Sequence, residues 1–187
     1  RTDALINGAL ADGVLAGDLH LRGSGDPKLT IEALWLWMRE MRARGLRVGM
    51  LKHAHHEFDI DHPGKDSYEL RKAGAEQMLI ASSRRWALMV EAPVEGDVLL
   101  WDMLSRLDRS ALDLILVEGF KHEHFPKIEL HRAAVGKPLL FPDDAAIIAV
   151  ASDSPIETVL PRLDINDPAT IAAFIVNYCN NDTDPTG

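Results

Sequence analysis

The sequence has a single cysteine, Cys179, in 187 residues. An intramolecular disulfide framework and a cysteine zinc cluster are therefore excluded, and the usage agrees with a reducing cytosol. No apolar run approaches the roughly 20 residues of a membrane span, and the amino terminus carries no signal-peptide pattern. A cytoplasmic protein with no membrane partner is expected. Bases are in deficit: 20 Lys and Arg stand against 29 Asp and Glu, for a formal charge of −9. Such a surface repels polyanions and argues against a general nucleic-acid binder. A small phosphate ligand is still allowed, because a few backbone N–H groups, one lysine and a divalent cation can reverse the field locally. Low-complexity segments and internal repeats are absent. The chain starts Arg1-Thr2-Asp3 without an initiator methionine, and we expect that something upstream was cut away or never belonged to it.

What is present is enough apolar material, 47% of residues, to bury one full core with an appendage. The most informative stretch is Val48 to Ala75, VGMLKHAHHEFDIDHPGKDSYELRKAGA. A short apolar run of the kind found in buried parallel strands leads into a loop crowded with charge. His53, His55, His56 and His62 alternate there with Glu57, Asp59, Asp61 and Asp66 around a Pro63-Gly64 turn. The arrangement predicts an anion and metal site at the carboxyl end of a strand. Zinc would suit the imidazoles, but their spacing matches no established zinc pattern.

Elsewhere, Thr30 reads as an N-cap for a helix ending at Gly45, with Ile31, Leu34, Trp35, Met38 and Met41 as its apolar stripe and Leu36 and Trp37 off it. Asp66 with Glu69 reads as a capping box. Residues 78–81 and 86–90 read as two strands about Ser82-Arg85, and 98–107 as a helix. Leu112 to Val117 is the strongest buried strand and delivers Glu118-Gly119 at its carboxyl end, where open α/β sheets bind ligands. Residues 128–131 and 147–150 are further strands. Asp167 caps a last helix that opens at Pro168 and runs to about Cys179. The four tryptophans, Trp35, Trp37, Trp86 and Trp101, read as core or interface anchors.

Gly23-Ser24-Gly25-Asp26-Pro27-Lys28-Leu29-Thr30 looks at first like a phosphate loop. The P-loop pattern G-x-x-x-x-G-K-[ST] is not met: Asp26 puts a negative charge where phosphate would sit, and Pro27 removes a donor.

The motifs LKHAHHEFDIDHPGKDSYELRKAGA, RRWALM, DLILVEGFKHE and IAVASD, in that order over about residues 44–177, closely resemble the MobB family of molybdopterin-guanine dinucleotide synthesis. The resemblance implies a P-loop NTPase-type α/β fold, a mostly parallel doubly wound sheet, Mg2+ and GTP as cofactors, and slow GTP hydrolysis at most. It implies a role beside the molybdenum cofactor guanylyltransferase, with molybdopterin and a second copy of the chain as partners. The alternative is a non-catalytic adaptor that docks transferase and pterin without nucleotide. Mapped by motif, Glu118 would be an acidic Mg2+ position with Asp59 and Asp61, while Lys65 would approach the phosphates. Asp153 would accept the two N–H donors of a guanine edge. No catalytic residue is assigned.

Residues 1 to about 46, with GDLHLRGSGDPKLT, resemble instead a segment of the D-alanyl-D-alanine carboxypeptidases, whose signatures S-x-x-K, S-x-N and K-T-G are not present as a set. This implies a chimera in three parts: residues 1–46 as a small amino-terminal β appendage ending in a helix, 47–179 as a MobB-like α/β domain lacking the P-loop, and 180–187 as a disordered tail.

Overall fold

The computed structural model describes residues 19–22, 27–54, 58–91, 96, 98–120 and 123–181, with backbone alone for 19–22, 27–30 and 181. The expectations for residues 1–18, for Gly23 to Asp26, for His55, His56 and Glu57, and for the end of the tail lie outside these. The chain divides into two compact units, one formed by Arg1–His53 with Leu99–Gly187 and one by Ala54–Val98.

The larger unit is built on a six-stranded sheet in the order β2-β5-β1-β6-β7-β8, every pairing parallel. Its strands are β1 (Leu19–Arg22), β2 (Val48–Lys52), β5 (Leu114–Glu118), β6 (Lys127–His131), β7 (Ile147–Ser152) and β8 (Arg162–Asp164). The short β8 was not foreseen. Side chains of β5 alternate between two apolar layers, as the pleat requires. Leu114 and Leu116 face helices α1 (Pro27–Ala43) and α4 (Pro168–Asn181), joined by Ile128, Leu130, Ala149 and Ala151. Ile115 and Val117 face α3 (Leu100–Leu104), with Phe120 and Phe125. Helices thus cover both faces, the doubly wound arrangement expected.

Several local expectations are corrected. The amino-terminal strand is no appendage: β1 sits inside the sheet, with Leu21 beside Glu118 on one side and Ile128 on the other. Helix α1 begins at Pro27 rather than after Thr30, since proline suits a first helical turn, where its missing N–H is no loss. Its buried stripe is Ala33, Leu34, Trp37 and Met41, while Ile31 and Trp35 are exposed. The apolar content of this helix exceeds one stripe, and packing, not spacing, selects the face. β2 is only half-buried because it lies at the sheet edge. α3 is shorter than 98–107, and α4 continues past Cys179 to Asn181, with Asp167 capping it as expected through Thr170 N–H at 3.1 Å.

The smaller unit holds α2 (Asp66–Lys72) and an antiparallel hairpin of β3 (Gln77–Ala81) and β4 (Trp86–Val90). The N-cap of α2 is Lys65, without a side-chain cap, so the expected capping box is not formed. Glu69 instead accepts from Gly64 N–H at 3.1 Å. One hairpin face carries Met78 and the buried Met89; the other presents Leu79, Trp86, Leu88 and Val90 to solvent.

Candidate functional site

The carboxyl ends of β2 and β5 are tied together by side chains and backbone. The two strands run in register to their last residues, where Lys52 pairs with Glu118. Paired residues of a sheet share a face, so Lys52 Nζ reaches and donates to Glu118 Oε2. One step further the ladder is extended by His53 N–H, which donates to the Glu118 carbonyl at 2.8 Å. The chain then turns sharply. Gly119 has φ +100°, and a Cβ there would stand 2.5 Å from His53 Cβ, so only glycine fits. Phe120 is left-handed too, at φ 49°, a conformation costly for an aromatic residue. Its ring is buried and stacks on His53 with centroids 4.6 Å apart, which holds the turn in place. Glu118 is therefore presented by a rigid strand end, its carboxylate side chain 24% exposed against 58% for Lys52.

The amino ends of the same strands are tied differently. Asp113 accepts three bonds from Arg47, from the backbone N–H at 2.7 Å, from Nε at 3.0 Å and from Nη2 at 2.6 Å. The guanidinium holds the Asp113 carboxyl down at about 2 and is itself raised by that carboxylate.

Asp59, Asp61 and Lys65 belong to the smaller unit. Asp59 and Asp61 are brought together, but on Arg71 of α2. That buried guanidinium donates to Asp59 at 2.7 Å, to both Asp61 oxygens and to Glu91 just beyond β4. Hydrogen bonding from Arg71 lowers the Asp61 carboxyl against the opposing effect of burial, and the three carboxylates raise Arg71. A metal ion at Asp59 and Asp61 would have to displace this guanidinium. Lys65 is exposed at the start of α2, its N–H bonded to the His62 carbonyl at 3.1 Å. Among the described residues, no group of three or more His, Cys, Asp or Glu side chains is arranged to hold a metal.

Asp153 follows β7, separated from β5 in the sheet by β1 and β6. It accepts the Ala133 N–H at 3.1 Å and lies 3.5 Å from Arg132, which also donates to Asn166. A cavity of about 400 Å³ opens along β7 and β8, lined by Ser152, Ser154, Arg162 and Asp164 among others but not by Asp153. Sequence reasoning missed Lys52, Arg71 and Arg132. Lys52 was legible from register alone, as the residue that follows the apolar run of β2 opposite the residue that follows that of β5. Arg71 and Arg132 had no local signal, because their partners are distant in sequence or lie across strands.

The family described as Molybdopterin guanine dinucleotide synthesis protein B, MobB, matches residues 26–153. The chain belongs to the MobB family. It is 54% identical over 137 residues to the molybdopterin-guanine dinucleotide biosynthesis adapter protein of Escherichia coli K12, covering 73% of this chain and 78% of that one. The namesake from Haemophilus influenzae is 42% identical over 168 residues, 89% of this chain and 90% of that one. Two solved MobB structures share the fold. One gives a TM-score of 0.68 at 23% identity, covering 86% of this chain and 98% of the other. The MobB homologue of Bacillus stearothermophilus gives 0.63 at 22%, covering 88% and 99%. The MobB match begins inside residues 1–46 and takes in all of α1. The comparisons lend no support to a carboxypeptidase origin for that segment. Among the described residues no helix is long and apolar enough to cross a membrane.

Proposed function

We propose that this MobB-family chain is a cytoplasmic adapter in molybdenum cofactor biosynthesis. It supports conversion of molybdopterin to its guanine dinucleotide form by binding GTP with Mg2+ and meeting the guanylyltransferase and the pterin. The observation that carries the reading is Glu118, held by a strained turn at the carboxyl end of a parallel strand paired with β1. Magnesium is commonly held by one or two carboxylates together with substrate phosphates, so a single strand-end carboxylate suits it. Asp153 reads the guanine edge, giving up its long contact to Arg132.

Binding is weak and hydrolysis slow at most, because phosphoryl transfer in this fold class rests on the phosphate loop, its lysine and Mg2+, and the G-x-x-x-x-G-K-[ST] pattern does not occur in this sequence. Calorimetry with GTP, with and without Mg2+, tests the reading. The wild type should bind more weakly than micromolar and depend on Mg2+, and Glu118→Gln should lose that dependence while keeping its fold. Equal affinity in both proteins, with and without Mg2+, or a submicromolar affinity, would refute it.

A second reading has its own support. Asp59, Asp61 and Glu118 all carry resident protein cations, which suits an adaptor that docks transferase and pterin without nucleotide. In that case, association with the guanylyltransferase is indifferent to GTP. A second copy of the chain covers the apolar hairpin face of Leu79, Trp86, Leu88 and Val90, as surfaces of that kind are covered in stable assemblies.

A further inference from the structure

The two ion pairs that join β2 to β5 differ in a way that points to motion at one of them. At the amino end, Arg47 fixes Asp113 through a planar fork and a backbone N–H. At the carboxyl end, Lys52 holds Glu118 through one ammonium contact at the tip of a flexible stem; the two bases are equally exposed, 58% for Lys52 and 57% for Arg47, so the difference lies in the number and geometry of the bonds. An ammonium is a point charge without the fork that fixes orientation, so this bond breaks and reforms without moving the backbone. The backbone beneath it cannot move: His53 N–H, Gly119 and the Phe120 stack fix where Glu118 points.

The surroundings favour a phosphate for the released ammonium. Glu118 and Lys52 have the same parity along their strands as Leu114, Leu116, Val48 and Met50, which pack toward α1 and α4. The pair therefore lies on the α1 face. Leu21 of β1 is level with Glu118, and α1 starts only a few residues later, at Pro27. The amino terminus of this 17-residue helix thus belongs to the same end of the sheet, where its dipole favours anions, although Asp26 precedes it in the sequence and Pro27 brings no N–H donor.

We propose that Lys52 is the exchangeable counter-ion of Glu118: it neutralises the carboxylate when no nucleotide is bound, and turns to the phosphates when a divalent cation takes its place. The proposal rests on the reading of Glu118 as the magnesium-side carboxylate, and it adds a phosphate-binding role for Lys52. It predicts effects of opposite sign. In nucleotide-free protein probed with Mn2+ by electron paramagnetic resonance, Lys52→Met should raise Mn2+ affinity roughly tenfold by removing a competing charge near contact. Lys52→Arg should lower it below the wild type, because a fork grips the carboxylate better. In EDTA, GTP affinity should fall several-fold in Lys52→Met and rise in Glu118→Gln, where the ammonium is released. A static surface pair would leave Lys52→Arg, which keeps the charge, with the Mn2+ and GTP affinities of the wild type, and circular dichroism verifies that each variant is folded. If Lys52→Met binds Mn2+ and GTP as the wild type does, while Glu118→Gln loses Mg2+ dependence, the exchange is overturned and the Glu118 reading stands. If no variant nor the wild type binds Mn2+ or GTP, both fall together.

Discussion

The two ends of the β2–β5 strand pair carry one acid and one base each, and use them for different ends. Arg47 and Asp113 close the amino end with three hydrogen bonds and a carboxyl held near 2. Lys52 and Glu118 close the carboxyl end with a single contact above a strained glycine turn. In the first the side chains are fixed and the backbone is ordinary; in the second the backbone is fixed and the side chains are left to move. Stability is served by the former and ligand exchange by the latter, since binding groups need a rigid support more than a rigid partner. The smaller unit follows the first pattern around Arg71, whose guanidinium satisfies Asp59, Asp61 and Glu91 together.

The comparison breaks most severely at Gly119. Gly119→Ala places a Cβ against His53 and forces an L side chain to φ +100°. Relief of either strain pulls the β2 and β5 ends apart. We expect a loss of about 1–3 kcal/mol in urea denaturation. Because Glu118 is aimed by this turn, Mg2+-dependent GTP binding should also fall further than stability alone explains.

A smaller effect is expected at the other end, and it depends on pH. The Asp113 carboxyl is held at about 2, below its ordinary value near 3.9. A depressed carboxyl contributes stability that is full above the unfolded value and disappears as pH falls through the folded one. Asp113→Asn should therefore destabilise the protein at neutral pH, and the difference from wild type should shrink from about pH 4 to about pH 2. Melting temperatures taken across that range measure it. A difference that stays constant would mean the aspartate acts by packing and not by charge.

How much of this was legible in the sequence follows from which forces are local. The buried apolar run of Leu112 to Val117, the cap at Asp167 and the hairpin over 78–90 are set by neighbours in the chain, and each appears within two residues of where its pattern predicts. The face of α1 was misread because Leu34, Trp35, Leu36, Trp37 and Met38 offer apolar residues nearly all round. Only contact with the sheet buries Trp37 and exposes Trp35. β1 was misplaced for a related reason. A four-residue strand carries little periodicity, and its position between β5 and β6 is decided by pairing with residues about 100 positions away. At the site, Glu118 was legible from the strand it ends. The engagement of Asp59 and Asp61 by Arg71 was not, because a loop rich in acids reads the same whether it awaits a metal or already holds an arginine.

The smallest stability effect is expected at Lys52, and there the comparison is sharpened rather than broken. Lys52→Met removes one exposed ammonium from a pair whose worth in solvent is about 0–1 kcal/mol. The methionine keeps most of the aliphatic stem against the sheet edge, so the urea midpoint should stay within the error of the wild type. Arg47→Met, the same deletion at the opposite end, should lower it measurably, since Asp113 then loses two side-chain bonds. Equal losses in the two variants would mean that both pairs are staples and that nothing at the carboxyl end is held ready for exchange. A neutral Lys52→Met beside a destabilised Arg47→Met would separate the end that holds the strands together from the end that is left to bind.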